Sequence, residues 1–176
     1  MRTLDHELFT TIVQQADIKP RVKKELKFVS STAQLAADWS DYELLFISDR
    51  TGDKGILFLQ PGEDLYIVQC EVARRIVDSQ TGRDRAIICD FCFTWQPGGN
   101  AASITFIHAE TKHKVRFLCC GDLACSQHVR TLTKSARVSR AQLRESLTND
   151  DRVARLKLKL TRLITQLGLK VVEIGS

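Results

Sequence analysis

Hydrophobic and polar positions alternate in three different rhythms along the chain, and each rhythm predicts a different kind of element. In the opening Asp5-to-Gln15 segment, Leu8, Ile12 and Val13 recur at helical spacing. Pro20 suits the first turn of a second helix carrying Val22, Leu26 and Val29. These two short helices are expected to pack on each other or on the elements C-terminal to them. From Tyr42 the apolar runs shorten to Leu44-Leu45-Phe46-Ile47, Gly55-Ile56-Leu57-Phe58-Leu59 and Leu65-Tyr66-Ile67-Val68. Turn residues at Asp49-Arg50-Thr51-Gly52-Asp53 and Gln60-Pro61-Gly62-Glu63-Asp64 separate them, as in strands joined by tight connections. Val72, Ile76 and Val77 fit either an extension of the last strand or a short helix.

Residues 101 to 120 read as a β-hairpin. Ile104, Phe106 and His108 alternate with Thr105 and Ile107; after the polar Glu110-Thr111-Lys112-His113, Val115, Phe117 and Cys119 alternate with Arg116, Leu118 and Cys120. Pro97-Gly98-Gly99-Asn100 supplies the loop that leads into it. The last segment has the strongest helical pattern in the chain. Thr148 and Asp151 resemble a capping box, Val153, Leu156, Leu160, Leu163, Ile164 and Leu167 form an apolar stripe, and Gly168 suits the stop. Arg152, Arg155, Lys157, Lys159 and Arg162 are expected on its remaining, solvated faces. The sum is an α+β fold: short N-terminal helices, a small antiparallel sheet and a C-terminal helix.

Composition narrows the class. A chain of 176 residues, 43% hydrophobic and 27% charged, can bury one good core or two small ones. No apolar run approaches the about 18 residues of a membrane span, and Asp5 and Glu7 interrupt the region a secretory signal needs. A cytoplasmic, membrane-free protein is therefore expected. The basic excess is C-terminal: residues 126–176 carry 11 Lys/Arg against 4 Asp/Glu, whereas residues 1–125 carry 15 against 17. That asymmetry points either to an anionic partner or to a solvated helix face.

The six cysteines carry the chemistry. In a reducing compartment a cysteine pattern points to metal binding or catalysis rather than disulfides. Cys89-Asp90-Phe91-Cys92 and Cys120-Gly121-Asp122-Leu123-Ala124-Cys125 form two pairs, and the hairpin between them returns its ends to one place. Zn–S bonds of about 2.3 Å put tetrahedral sulfurs roughly 3.7 Å apart, a spacing that tight Cys-x2-Cys turns supply. Gly121 is expected to let the chain turn so that Cys125 enters the first turn of a helix over Ser126 to Arg130, where the helix N-terminus favours a thiolate. Four thiolates leave no open coordination position, so one structural Zn2+ held by Cys89, Cys92, Cys120 and Cys125 is predicted. His128 could replace one of these thiolates. Cys119 falls on the Val115/Phe117 face as a core residue, and Cys70 reads as a small buried one.

Catalytic readings fare worse. His108-Ala109-Glu110 is not followed by the Pro-Cys-x2-Cys that zinc deaminases require, and neither a phosphate-cradling glycine loop nor a G-x-S-x-G nucleophile motif is present. A thiol oxidoreductase would need Cys89 and Cys92 exposed and one of them at low pKa. No catalytic residue and no small-molecule substrate are expected.

The Cys-Asp-Phe-Cys of 89–92, the hairpin, and Cys-Gly-Asp-Leu-Ala-Cys-Ser-Gln-His-Val-Arg at 120–130 resemble the C-terminal treble-clef zinc finger of the elongation factor G-binding family, which includes the fusidic acid resistance proteins and is also labelled fibronectin-binding. Gln142-Leu143-Arg144-Glu145-Ser146-Leu147-Thr148 through Ile164 is similar to that family's closing helix. The likeness is specific over 89–130, weaker over 41–88 and 140–168, and absent before residue 40. Met1 to Ala37 is shorter than the helical N-terminal domain of the resistance proteins. The chain is accordingly divided into a helical segment, 1–40, and a mixed domain, 41–176, with the finger at about 86–135 and the closing helix at about 149–167. The resemblance implies a protein without catalytic activity that binds elongation factor G and helps it leave the ribosome. Phe91, Phe93 and Trp95 near the first cysteine pair, and Arg116 and Arg130 near the second, are the expected partner contacts. The alternative is a zinc-stabilised RNA- or DNA-binding module that uses the basic C-terminal region.

Overall fold

A computed structural model describes residues 6–16, 18, 20–26, 42–108 and 110–172. Helix α1 (His6–Gln15) buries Phe9, Ile12 and Val13, and Pro20 opens α2 (Pro20–Glu25), where its missing N–H costs no helical hydrogen bond. Val29, expected on the second helix, lies outside the described residues.

The three short apolar runs are strands β1 (Leu44–Ser48), β2 (Lys54–Leu59) and β3 (Tyr66–Ala73), paired antiparallel with Leu45 opposite Phe58 and Leu57 opposite Val68. The β1–β2 turn is shaped by Asp49, whose carboxylate accepts from the Gly52 N–H at 2.9 Å, and by Gly52 itself at φ +80°, a conformation that costs glycine little. After β3 the chain leaves the sheet. Val72 lies within β3, and Val77 makes an isolated bridge to Asp84, so neither belongs to a helix. A two-stranded ribbon follows, β4 (Ile87–Ile88) against β5 (Trp95–Gln96), before the chain returns as β6 (Ala101–Ile107) alongside β3 and turns back as β7 (Lys114–Cys120). The sheet order is β1-β2-β3-β6-β7, antiparallel throughout.

Three helices close the chain: α3 (Cys125–Val129), α4 (Lys134–Leu143) and α5 (Asn149–Leu167). The hydroxyl of Thr148 and the side chain of Asp151 exchange backbone hydrogen bonds in a full capping box, and Gly168 ends α5 in the left-handed region at φ +62°. The closing helix therefore starts after Thr148; Gln142 and Leu143 belong to α4, and Arg144 ends it at φ +50°. Arg152 is not on the solvated face. It is 1% exposed, with its Nε 3.3 Å from Glu145 and its Nη1 donating to Thr131.

The sheet separates two cores. On one face Leu44, Leu57, Leu59, Val68 and Ile104 pack with Leu156, Leu160 and Leu163 of α5 and with the four paired cysteines. On the other, Leu45, Ile56 and Phe58 meet Phe9, Ile12 and Val13 of α1 and Val22 of α2. Strand β2 is covered on both faces, which is why Ile56-Leu57-Phe58-Leu59 reads as an unbroken apolar run. Each such side chain contributes about 1.5–3 kcal/mol on burial.

Candidate metal centre

Two tight turns aim the four sulfurs at one point. In the first, the Phe93 N–H donates to the Cys89 carbonyl at 2.9 Å, and Phe93 takes a left-handed φ of +57° to close the loop. Asp90 then fixes this turn to the hairpin. Its N–H donates to the Leu118 carbonyl at 2.9 Å, and its carboxylate accepts from the Leu118 N–H at 2.7 Å. Cys89 and Cys92 are thereby held beside the end of β7, where Cys120 stands.

In the second turn the Leu123 N–H donates to the Cys120 carbonyl at 3.0 Å, and the left-handed residue is Leu123, φ +51°, rather than Gly121. Gly121 serves close packing instead: a Cβ there would meet the Asn100 side-chain oxygen at 3.1 Å. The Asp122 carboxylate accepts from the Ala124 N–H at 3.1 Å, and α3 starts at Cys125 as the pattern predicts.

The resulting sulfur separations are 3.8 Å for Cys89–Cys125, 3.5 Å for Cys92–Cys120 and 3.9 Å for Cys120–Cys125. All four sulfurs lie within 4.8 Å of one another, and none of the four residues is more than 1% exposed. A disulfide needs sulfurs about 2.05 Å apart, whereas tetrahedral Zn2+ with bonds of about 2.3 Å needs them about 3.8 Å apart. The spacing fits the metal. So does the electrostatics. Burial opposes ionisation of Cys92, but hydrogen bonds from Cys120, Cys125, Cys89 and His128 hold its thiol well below the usual range. Hydrogen bonds with Cys120, Cys89 and Cys92, together with burial, push Cys125 well above it. A divalent cation resolves that competition by stabilising every thiolate. Cys89, Cys92, Cys120 and Cys125 hold one structural zinc, whose role is to fix the turn, the hairpin end and α3 to one another.

Two of the three competing ligands, Cys119 and Cys70, occupy other places. Cys119 is fully buried in the core opposite Ala102, and Cys70 is 2% exposed in β3; burial raises both thiols. His128 is buried next to the sulfurs, with Nδ1 3.2 Å from the Cys120 sulfur. Burial works against its protonation, but the Asp122 carboxylate and Cys92 outweigh this and raise its pKa to about 9.

The five expected partner contacts are spread around this centre. Phe91 is 1% exposed and packs on Phe117 with ring centroids 5.5 Å apart. Phe93 is half-buried beneath the Arg155 guanidinium, 4.5 Å from its ring centre, and Trp95 is half-buried with its backbone N–H on Ser139. Arg116 is exposed on β7, donating to Thr105 at 3.3 Å, and Arg130 pairs with Glu43 at 2.7 Å. Sequence reasoning missed Asp90, Asp122, Gln96, Asn100 and Glu43, which position the centre without touching a metal. The acidic residue inside each cysteine pair was the available signal.

Among the described residues no helix is long and apolar enough to cross a membrane. Comparison with curated proteins and with solved structures finds no significant match. A family model described as the FBP C-terminal treble-clef zinc-finger matches residues 19–167, spanning the sheet, both cysteine turns and α5. With the four sulfurs gathered where a treble clef places them, the chain belongs to the FBP C-terminal treble-clef zinc-finger family.

Proposed function

We propose that this protein is a non-catalytic binding module in the cytoplasm that engages elongation factor G and modulates its release from the ribosome. The observation that carries the reading is the closed centre: four buried thiolates fill the zinc coordination sphere, leaving no position for a substrate and no accessible nucleophile. Zinc of this kind stiffens a surface. Family membership supports a binding role, and the resemblance of residues 89–130 to the elongation factor G-binding proteins supplies the partner.

Phe93, Trp95 and Arg116 form the outward part of the proposed contact surface, while Phe91 and Arg130 support it from within. Immobilised elongation factor G should capture the zinc-loaded protein at micromolar concentration and moderate salt. Arg116→Glu should weaken capture without lowering zinc content. Absence of capture by the unaltered protein sinks the reading.

A second reading, nucleic-acid binding through the C-terminal helices, draws on one observation. Lys134, Arg137 and Arg140 follow one another at helical spacing along α4, a helix without an acidic residue, and Arg144 stands just past its C-terminal end. Phosphate contacts would make such binding fall steeply with salt; a flat response argues against it.

A further inference from the structure

Strand β7 stands last in the sheet order, so one of its edges faces outward. Its phase against β6 decides which groups lie there. The His108 N–H donates to the His113 carbonyl at 2.8 Å, and the Gly121 N–H donates to the Asn100 carbonyl at 2.8 Å. These bonds make Lys114, Arg116 and Leu118 the non-hydrogen-bonded positions opposite Ile107, Thr105 and Ser103, with their backbone N–H and C=O groups turned away from β6. At Leu118 both outward groups are taken: the N–H donates to the Asp90 carboxylate at 2.7 Å, and the carbonyl accepts from the Asp90 N–H at 2.9 Å. At Lys114 and Arg116 no backbone group among the described residues takes them. The first cysteine turn therefore closes one end of an edge that stays open beyond it.

The side chains along this edge carry one sign of charge. Lys114 and Arg116 are exposed on one face of β7, and Val115 and Phe117 are half-buried on the other. Neither cation has an ionic partner among the described residues; Arg116 donates to Thr105, which separates it from Glu71 in the same row of the sheet. Lys159 of α5 adds a further positive charge 5.7 Å from the centre of the Phe117 ring. Charges on an edge strand keep like-charged copies away, and the same charges attract a strand of opposite sign. We propose that the β7 edge at Lys114 and Arg116 is a docking site for an extended acidic segment of a partner protein, which adds to the sheet as a further strand. The added strand exchanges backbone hydrogen bonds with Lys114 and Arg116. Its residues beside those two cations are Glu or Asp, and the alternate ones, beside Val115 and Phe117, are apolar. Asp90 sets where the added strand stops. This inference rests on the reading of the protein as a binding module and supplies its mode of contact.

The probe is a blocked hexapeptide of alternating glutamate and valine, titrated to about 1 mM into the isotope-labelled, zinc-loaded full chain at low salt. Nuclear magnetic resonance should show the Lys114 and Arg116 amides shifted and newly protected from hydrogen exchange, with the protection of the Leu118 amide unchanged because Asp90 already holds it. A lysine–valine hexapeptide should leave all three as they were. Lys114→Gln removes one charge and should weaken the acidic peptide about fivefold. Lys114→Pro also removes the outward N–H, which β6 does not use, and should weaken it about fivefold more. If Lys114→Pro does not fold, exchange protection in the unaltered chain decides without it. No shift at these amides, shifts without protection, or an equal response to the lysine peptide overturns the proposal. Protection that rises with protein concentration in the absence of peptide gives the edge to a second copy of the chain and also overturns it. Elongation factor G takes no part in this test. Capture of that factor by a protein whose edge ignores the peptide removes only the strand mode; an edge that takes the peptide in a protein that captures no factor removes only the named partner.

Discussion

Arg130 and Glu43 form a two-pronged ion pair, Nη2 to Oε1 at 2.7 Å and Nη1 to Oε2 at 2.9 Å, joining positions 87 residues apart. Glu43 is 2% exposed, and its backbone N–H donates to the Ser126 hydroxyl at 3.0 Å. Helix α3, which carries Cys125, is thereby latched to the outer strand of the sheet. Arg130→Met strands a buried carboxylate and should cost about 3 kcal/mol in urea denaturation. The double variant Glu43→Gln/Arg130→Met should recover part of that loss. A single-variant cost below about 1 kcal/mol would show that the latch is idle.

Adjacent cysteines at the end of β7 have opposite fates. Cys120→Ala should abolish stoichiometric zinc, measured by metal analysis of protein purified under reducing conditions, whereas Cys119→Ala should keep one zinc per chain. Chelation should lower the melting temperature of the unaltered protein and barely move that of Cys120→Ala. Equal zinc in both variants would contradict the assignment.

Leu160 is fully buried where α5 crosses the sheet. Leu160→Ala removes its packing and leaves a cavity, at a cost of about 2–5 kcal/mol in chemical denaturation, while zinc stoichiometry stays at one. Leu158, 52% exposed on the same helix, should tolerate alanine within about 0.5 kcal/mol.

The Asp151 carboxyl is held below its ordinary value of 3.8, first by the Thr148 hydroxyl and then by the Thr148 backbone N–H. A depressed folded pKa adds stability above the unfolded pKa and loses it as pH falls through the folded one. The stability gap between the unaltered protein and Asp151→Ala should therefore stay constant from about pH 8 to 5 and narrow only below about pH 4. A gap that closes between pH 7 and 5 would rule the capping box out as its source.

Much of this arrangement was legible in residue order. Local signals carried it: the Thr148/Asp151 cap, the stripe from Leu156 to Leu167, the alternation of 101–120 and the two cysteine spacings all act over a few residues. Helix α4 was not read. It buries only Ala136 and Ser139, so no apolar stripe announces it, and its sole local sign is Thr133 capping Ala136. The pairing of Cys70 with Phe106 was equally hidden, because nothing near either residue encodes which distant strand lies beside it. Arg152 misled for the opposite reason. Its charge matched a solvated face, but Glu145, remote in pattern though near in chain, supplies the countercharge that lets it turn inward.

Because Ala73 pairs with Ser103, the chain quits the sheet and rejoins it at adjoining points. An excursion whose two ends already touch can change length at small entropic expense to its host. Its exposed tip at Gln80-Thr81-Gly82 is closed off by the Val77–Asp84 bridge before the chain reaches the first cysteine turn. A fluorescent label or peptide tag grafted there would ride on the finger's own outgrowth, giving a handle on the protein that leaves strand register and sulfur geometry untouched.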